Sequence, residues 1–195
     1  MDTDQYRAVA GASLVGAGTV SILAFSTAAA LVPGYSVAQD TISALGATGG
    51  TAASRAVFNA AMVDSGALVL LAAYGLHRAY GRRLLTGVTA ATGLGGFVGV
   101  GLFPAQTGLP HFVAAVIAFT GAGVAALVVA ATVRGPFRYV SAVLGGLELV
   151  ALALFVTLGG ATALGVGGLE RWVAYLGLAW AVAFGGALLS DGTRV

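Results

Sequence analysis

The chain has no cysteine, which excludes a disulfide, a thiolate metal site and a cysteine nucleophile. Charge is almost as scarce. Asp, Glu, Lys and Arg make up 8% of the 195 residues, against about 25% in a typical soluble domain, so the chain could not cover its own surface in water. There is no lysine, and the nine arginines are scattered over short connections. Without a basic stripe or an aromatic platform, no nucleic-acid partner is expected.

What the sequence has instead is hydrocarbon: 58% of its residues are hydrophobic and the mean hydropathy is +0.97. Six apolar segments, roughly 8–32, 56–76, 84–103, 111–133, 139–163 and 172–190, are each long enough to cross a core about 30 Å thick. In lipid they must be helices or strands of a closed barrel, and the two-residue alternation of barrel strands is absent. The expectation is an all-α, single-domain bundle of six transmembrane helices, multi-pass in the cell membrane, with lipids as its partners. Ser26-Thr27-Ala28 resembles a cleavage site. However, the apolar run before it is longer than a signal peptide's, and Asp2 and Asp4 flank a single Arg7, so the first helix is expected to be retained.

Arginine placement sets the orientation. Arg7, Arg78, Arg82, Arg83, Arg134, Arg138 and Arg194 fall on one side of six alternating helices, and only Arg55 and Arg171 on the other. Both termini are therefore expected in the cytoplasm. Tyr6, Tyr80, Tyr139 and Trp172 lie near helix ends, as interfacial anchors do. The 31 glycines concentrate within the helices, where pairs such as Gly95 and Gly99 let backbones approach closely. Packing within the bundle is the first reading of this pattern, and a homo-oligomer through the glycine-rich helices is the second.

The longest connection, 33–55, is expected outside the cell. Asp40 can cap a short helical turn through Ser43 that Gly46 ends. Gln39-Asp40-Thr41-Ile42-Ser43-Ala44-Leu45-Gly46, then Phe58-Asn59 and Gly66, then Gly101-Leu102-Phe103-Pro104, His111 and Phe119 resemble the family called domain of unknown function 998 (DUF998). The pattern is more distantly similar to the damage-regulated autophagy modulators and the GPI-lipid-remodelling membrane proteins, with Ala44 standing where those carry a charged residue. The resemblance implies a six-helix membrane fold and, through the distant relatives, lipid chemistry.

Four polar residues are candidates for a ligand site at the outer mouth. His111 opens the fourth helix above a stripe of Ala114, Ala115, Ala118 and Ala122, so it should point inward. Asn59 and Gly66 lie within about 20° of each other on the second helix and share a packed face. With Asp40 and Ser43 they would hold a polar head, and Phe58, Phe103 and Phe119 would border its apolar part. The plain reading of the same residues is a network that pins the loop, with Asp40 a cap and His111 a neutral hydrogen-bonded ring. Ser43, His111 and Asp40 are also the residue types of a hydrolase triad, but no nucleophile elbow accompanies them. His77 and His111 are expected on opposite sides of the membrane, so no metal site is expected. Nothing in the sequence indicates a cofactor.

Asp64 and Glu148 fall near mid-membrane with no arginine at their depth. Such groups are functional candidates by default. Both are expected to be protonated at neutral pH unless a cation or water chain reaches them, and Asp64 is expected to face another helix, away from Asn59. Three functions stay open: a protein that binds or modifies a lipid-like molecule at an outer-leaflet site, a small transporter or channel with Asp64 and Glu148 as a proton or cation relay, and a structural subunit.

Overall fold

The computed structural model describes residues 1–190; Arg194, one of the arginines used for orientation, lies outside them. Six helices are long and apolar enough to cross a membrane: α1 (Thr3–Ala30), α2 (Ala52–Tyr80), α3 (Arg83–Leu102), α4 (Leu109–Thr132), α5 (Phe137–Leu158) and α6 (Gly165–Leu189). There is no strand among the described residues.

Local chemistry starts and stops the helices. Asp2 accepts from the Gln5 amide while the Gln5 side chain accepts from the Asp2 amide, a capping box that opens α1. Thr51 caps α2, and Gly81 ends it in the left-handed region at φ 63°. The sixth helix begins at Gly165, well before the expected 172. Glu170 and Arg171 mark a boundary in the sequence because charge avoids lipid, but both fold inward onto the long loop and stay within the helix.

Each helix packs on its sequence neighbours, and α6 returns to α1, so the six close into a ring. The closure is tight. A Cβ on Gly11 would come within 2.7 Å of the Gly185 carbonyl oxygen, and only a small residue allows such an approach. Between α1 and α2, the buried Ser21 hydroxyl donates to Ser65 at 2.9 Å, and Ser65 donates to the Ala17 carbonyl, a polar link between helices that hydrocarbon cannot compete for.

Within α3, residues Thr92–Val98 form a π-helical stretch, which widens the turn and shifts the helical phase of the residues beyond it. Gly96 joins the expected Gly95 and Gly99 in meeting α4: a Cβ on Gly95 would lie 3.3 Å from Ile117 Cδ1, one on Gly96 2.6 Å from the Ala118 Cα, and one on Gly99 2.9 Å from the Ala114 Cβ.

The bundle has two ends. The terminal end carries the start of α1 and the connections 81–82 and 133–136; the loop end carries 31–51, 103–108 and 159–164. One apolar cluster, including Leu14, Leu76, Trp180 and Phe184, lies toward the terminal end. Another, including Phe25, Leu45, Phe58 and Leu178, lies toward the loop end.

Candidate functional site

A ring of six helices leaves space along its axis. A chamber of about 90 Å³ is lined by residues from every helix. On α2 alone its wall runs from Phe58 to Leu76, roughly 27 Å at 1.5 Å per helical residue. The space is thus long and narrow, nearly the depth of a hydrocarbon core. Its walls are apolar apart from Ser43, Thr89, Thr92, Glu148 and Glu170.

At the loop end the chamber is closed by Ile42 and Ser43, which open a short 3-10 turn, Ser43–Gly46. Two adjacent residues of α6 hold this loop. The Glu170 carboxylate, 2% exposed, accepts from the Ile42 amide, and from the Ser43 amide at 3.4 Å and the Ser43 hydroxyl at 2.5 Å. The Arg171 guanidinium takes the opposite groups: it donates to the carbonyls of Val37 (2.8 Å) and Asp40 (3.0 Å) and to the Tyr35 hydroxyl (2.5 Å). The anion therefore satisfies backbone donors and the cation backbone acceptors. Tyr35 in turn donates to the Thr41 carbonyl at 2.9 Å, and burial holds its phenol above the ordinary value of 10.0 despite the nearby arginine, so the donor is retained. Gly165 and Gly167 let the loop lie on α6, since a Cβ on either would strike the carbonyl of Ala38 or Asp40.

Three of the four expected outer-mouth residues, Asp40, Asn59 and His111, are engaged with backbone, and Ser43 with the Glu170 carboxylate. Asp40 accepts from the Ser36 amide at 2.7 Å, turning back on its own loop; the cap of the short turn, expected from Asp40, comes from Glu170 and from Thr41, which accepts from the Ala44 amide at 3.2 Å. The Asn59 amide donates to the Gly46 carbonyl at 3.1 Å. The Nδ1 of His111 lies 2.8 Å from the Phe103 carbonyl oxygen, and since a carbonyl can only accept, Nδ1 carries the proton. No hydrogen bond joins any two of the four among the described residues. Only Ser43 reaches the chamber, and with its hydroxyl on Glu170 and His111 on a carbonyl, no nucleophile and base are paired.

Residues 14–187 match a family described as a protein of unknown function, DUF998. The chain belongs to the DUF998 family. The match enters all six helices, beyond the first four in which the resembling motifs lie. No curated protein and no solved structure matches the chain.

The two mid-membrane carboxyls of this DUF998 protein lie in different surroundings. Glu148 is 1% exposed and lines the chamber, and its Oε2 has no hydrogen-bond partner among the described residues. Asp64, expected against another helix, is instead exposed on the back of α2, beside the exposed Ala60 and Ala67. The inner arc of α2 carries Phe58, Met62 and Val69 toward the chamber, and the helical phase turns Asp64 away from them. A relay of these two residues therefore shares no path through the fold. Sequence reasoning missed Glu170 and the chamber itself. The available signal was an adjacent Glu-Arg pair following Gly165 and Gly167, small residues beside which another segment can lie.

Proposed function

We propose that this DUF998 protein binds a lipid or lipid-like molecule, and that an apolar chain of that molecule lies inside the ring of helices. The observation that supports this is the narrow apolar chamber along the bundle axis. A long apolar space with a few polar groups is the shape and chemistry of a ligand site in a bundle. The 31–51 loop, clamped by Glu170 and Arg171, covers its end.

For orientation, we infer that the terminal end faces the cytoplasm of a cell membrane. Of the described arginines, Arg7, Arg78, Arg82, Arg83, Arg134 and Arg138 belong to that end, and at the loop end Arg171 is engaged by its own chain. The chamber would then be covered on the outer-leaflet side.

Native mass spectrometry of protein extracted in mild detergent tests the binding. An apolar-chain molecule should co-purify with the unaltered protein and be lost from Ala122→Phe, which fills the chamber from α4. Equal retention by Ala122→Phe, or no co-purifying molecule with an apolar chain, would sink the reading.

A further inference from the structure

Glu148 is the group in the chamber whose chemistry the fold does not complete. Its carboxyl is buried, it stands on the wall, and Oε2 has no hydrogen-bond partner among the described residues. Across from it, α6 presents Gly177, where a Cβ would come within 2.6 Å of Oε1 and 3.1 Å of Oε2. Any larger residue would evict the carboxyl, so α6 leaves room for it. One turn further on, Trp180 lines the same chamber, and its indole N–H is already donated to Ser141 at 3.1 Å. What Trp180 offers the chamber is aromatic surface.

We propose that the Glu148 carboxylate recognises an organic ammonium group carried on an apolar chain in the chamber that Trp180 also lines. The proposal rests on the chamber reading above and names its ligand class. An uncompensated carboxylate at mid-membrane depth is costly, and an opposite charge in contact with it removes most of that cost. Inorganic cations fit poorly. Calcium takes six to eight oxygen ligands and magnesium keeps most of its water, whereas no group of three His, Cys, Asp or Glu gathers among the described residues, and the other hydroxyls of this chamber belong to Ser43, Thr89 and Thr92. A substituted ammonium needs less. Its alkyl groups suit the apolar wall, its charge suits the carboxylate, and an indole face attracts such cations. Apolar wall extends from Glu148 toward both ends of the chamber, past Phe58 and Phe119 in one direction and Leu76 and Phe184 in the other, so the side chains that a chain attached to the cation would meet are apolar.

The test uses the full chain in lipid nanodiscs with Trp172→Phe as background, leaving Trp180 as the fluorophore. Dodecyltrimethylammonium is the probe, because it can donate neither a proton nor a hydrogen bond, and dodecanol is its uncharged counterpart. Dodecyltrimethylammonium should bind saturably and at least about tenfold more tightly than dodecanol, a factor that one ion pair in a low-dielectric chamber can supply. Glu148→Gln should bring the two probes to within about twofold of each other by weakening dodecyltrimethylammonium binding; a tenfold preference is far above that residual. Equal binding of both probes to the unaltered site, or a preference that survives Glu148→Gln, overturns the ammonium proposal and leaves the chamber reading standing. Failure of both probes to bind saturably overturns the chamber reading with it.

Discussion

Two carboxyl groups line the same chamber, and the fold treats them in opposite ways. Glu170 accepts from two backbone amides and a hydroxyl and is the cap of the long loop. Glu148 is equally buried, yet one of its oxygens has no partner. Every donor that Glu170 needs comes from its own chain, so its burial is explained by the fold alone. The burial of Glu148 is not, and a buried polar group left short of partners is either a liability or a place for a ligand. Satisfaction of hydrogen bonds, more than depth or charge, separates the structural carboxyl from the candidate functional one.

Removing the better-satisfied group should do the most damage. Glu170→Ala would leave the Ile42 and Ser43 amides facing an apolar chamber without acceptors and should destabilise the protein by about 2–4 kcal/mol, read as a lower thermal midpoint in detergent. The 31–51 loop should also become open to protease. A loss below about 0.5 kcal/mol would mean that Glu170 is no anchor, since changes of that size are ordinary for surface positions.

Gly177→Val tests the other side of the comparison. Its side chain would occupy the space of the Glu148 carboxyl and should cost about 1–3 kcal/mol by overpacking. The double variant Gly177→Val with Glu148→Ala should recover part of that loss, because the two side chains compete for one volume. Additive losses would show that the two sites are independent.

The smaller effects are expected outside the chamber. Asp64→Asn, on the back of α2, should change stability by less than about 0.5 kcal/mol and leave probe binding as it was. Tyr35→Phe should weaken the loop clamp modestly, and its effect should depend on pH with a defined sign. Burial holds the folded phenol above 10.0, so the neutral form is favoured by folding. That contribution is complete below pH 10 and declines as pH rises through the higher folded value. The midpoint gap between unaltered protein and Tyr35→Phe should therefore narrow in alkaline buffer, and a gap that widened would contradict the assignment.

The fold was legible because hydropathy is additive along the chain. Six apolar runs and the absence of alternation were enough for six helices, and the Gln39–Gly46, Phe58-Asn59 and His111 motifs were enough for the family. The clamp was less legible. Local capping logic assigns the short turn to Asp40, whereas the group that caps it, Glu170, is about 130 residues away, and no spacing rule reaches that far. In the sequence, Glu170 and Arg171 look like a helix edge because charge ordinarily lies outside the spans. Helical phase correctly separates Asp64 from Asn59, but it cannot tell an alanine-lined face that meets lipid from one that meets a helix. The chamber was invisible, since it exists only once α6 closes against α1.

If Glu170 belongs to the fold and Glu148 to a ligand, the two should respond differently to loss of charge alone. Thermal unfolding of Glu170→Gln and Glu148→Gln, side by side in the same ligand-free detergent, reads that difference, since each change keeps the shape and removes the capacity to carry a charge. The midpoint of Glu170→Gln should fall clearly, because one acceptor oxygen is replaced by a donor facing backbone N–H groups. The midpoint of Glu148→Gln should stay within experimental error of the unaltered protein, or rise above it. A fall for Glu148→Gln as large as that for Glu170→Gln would contradict the division of roles between the two carboxyls.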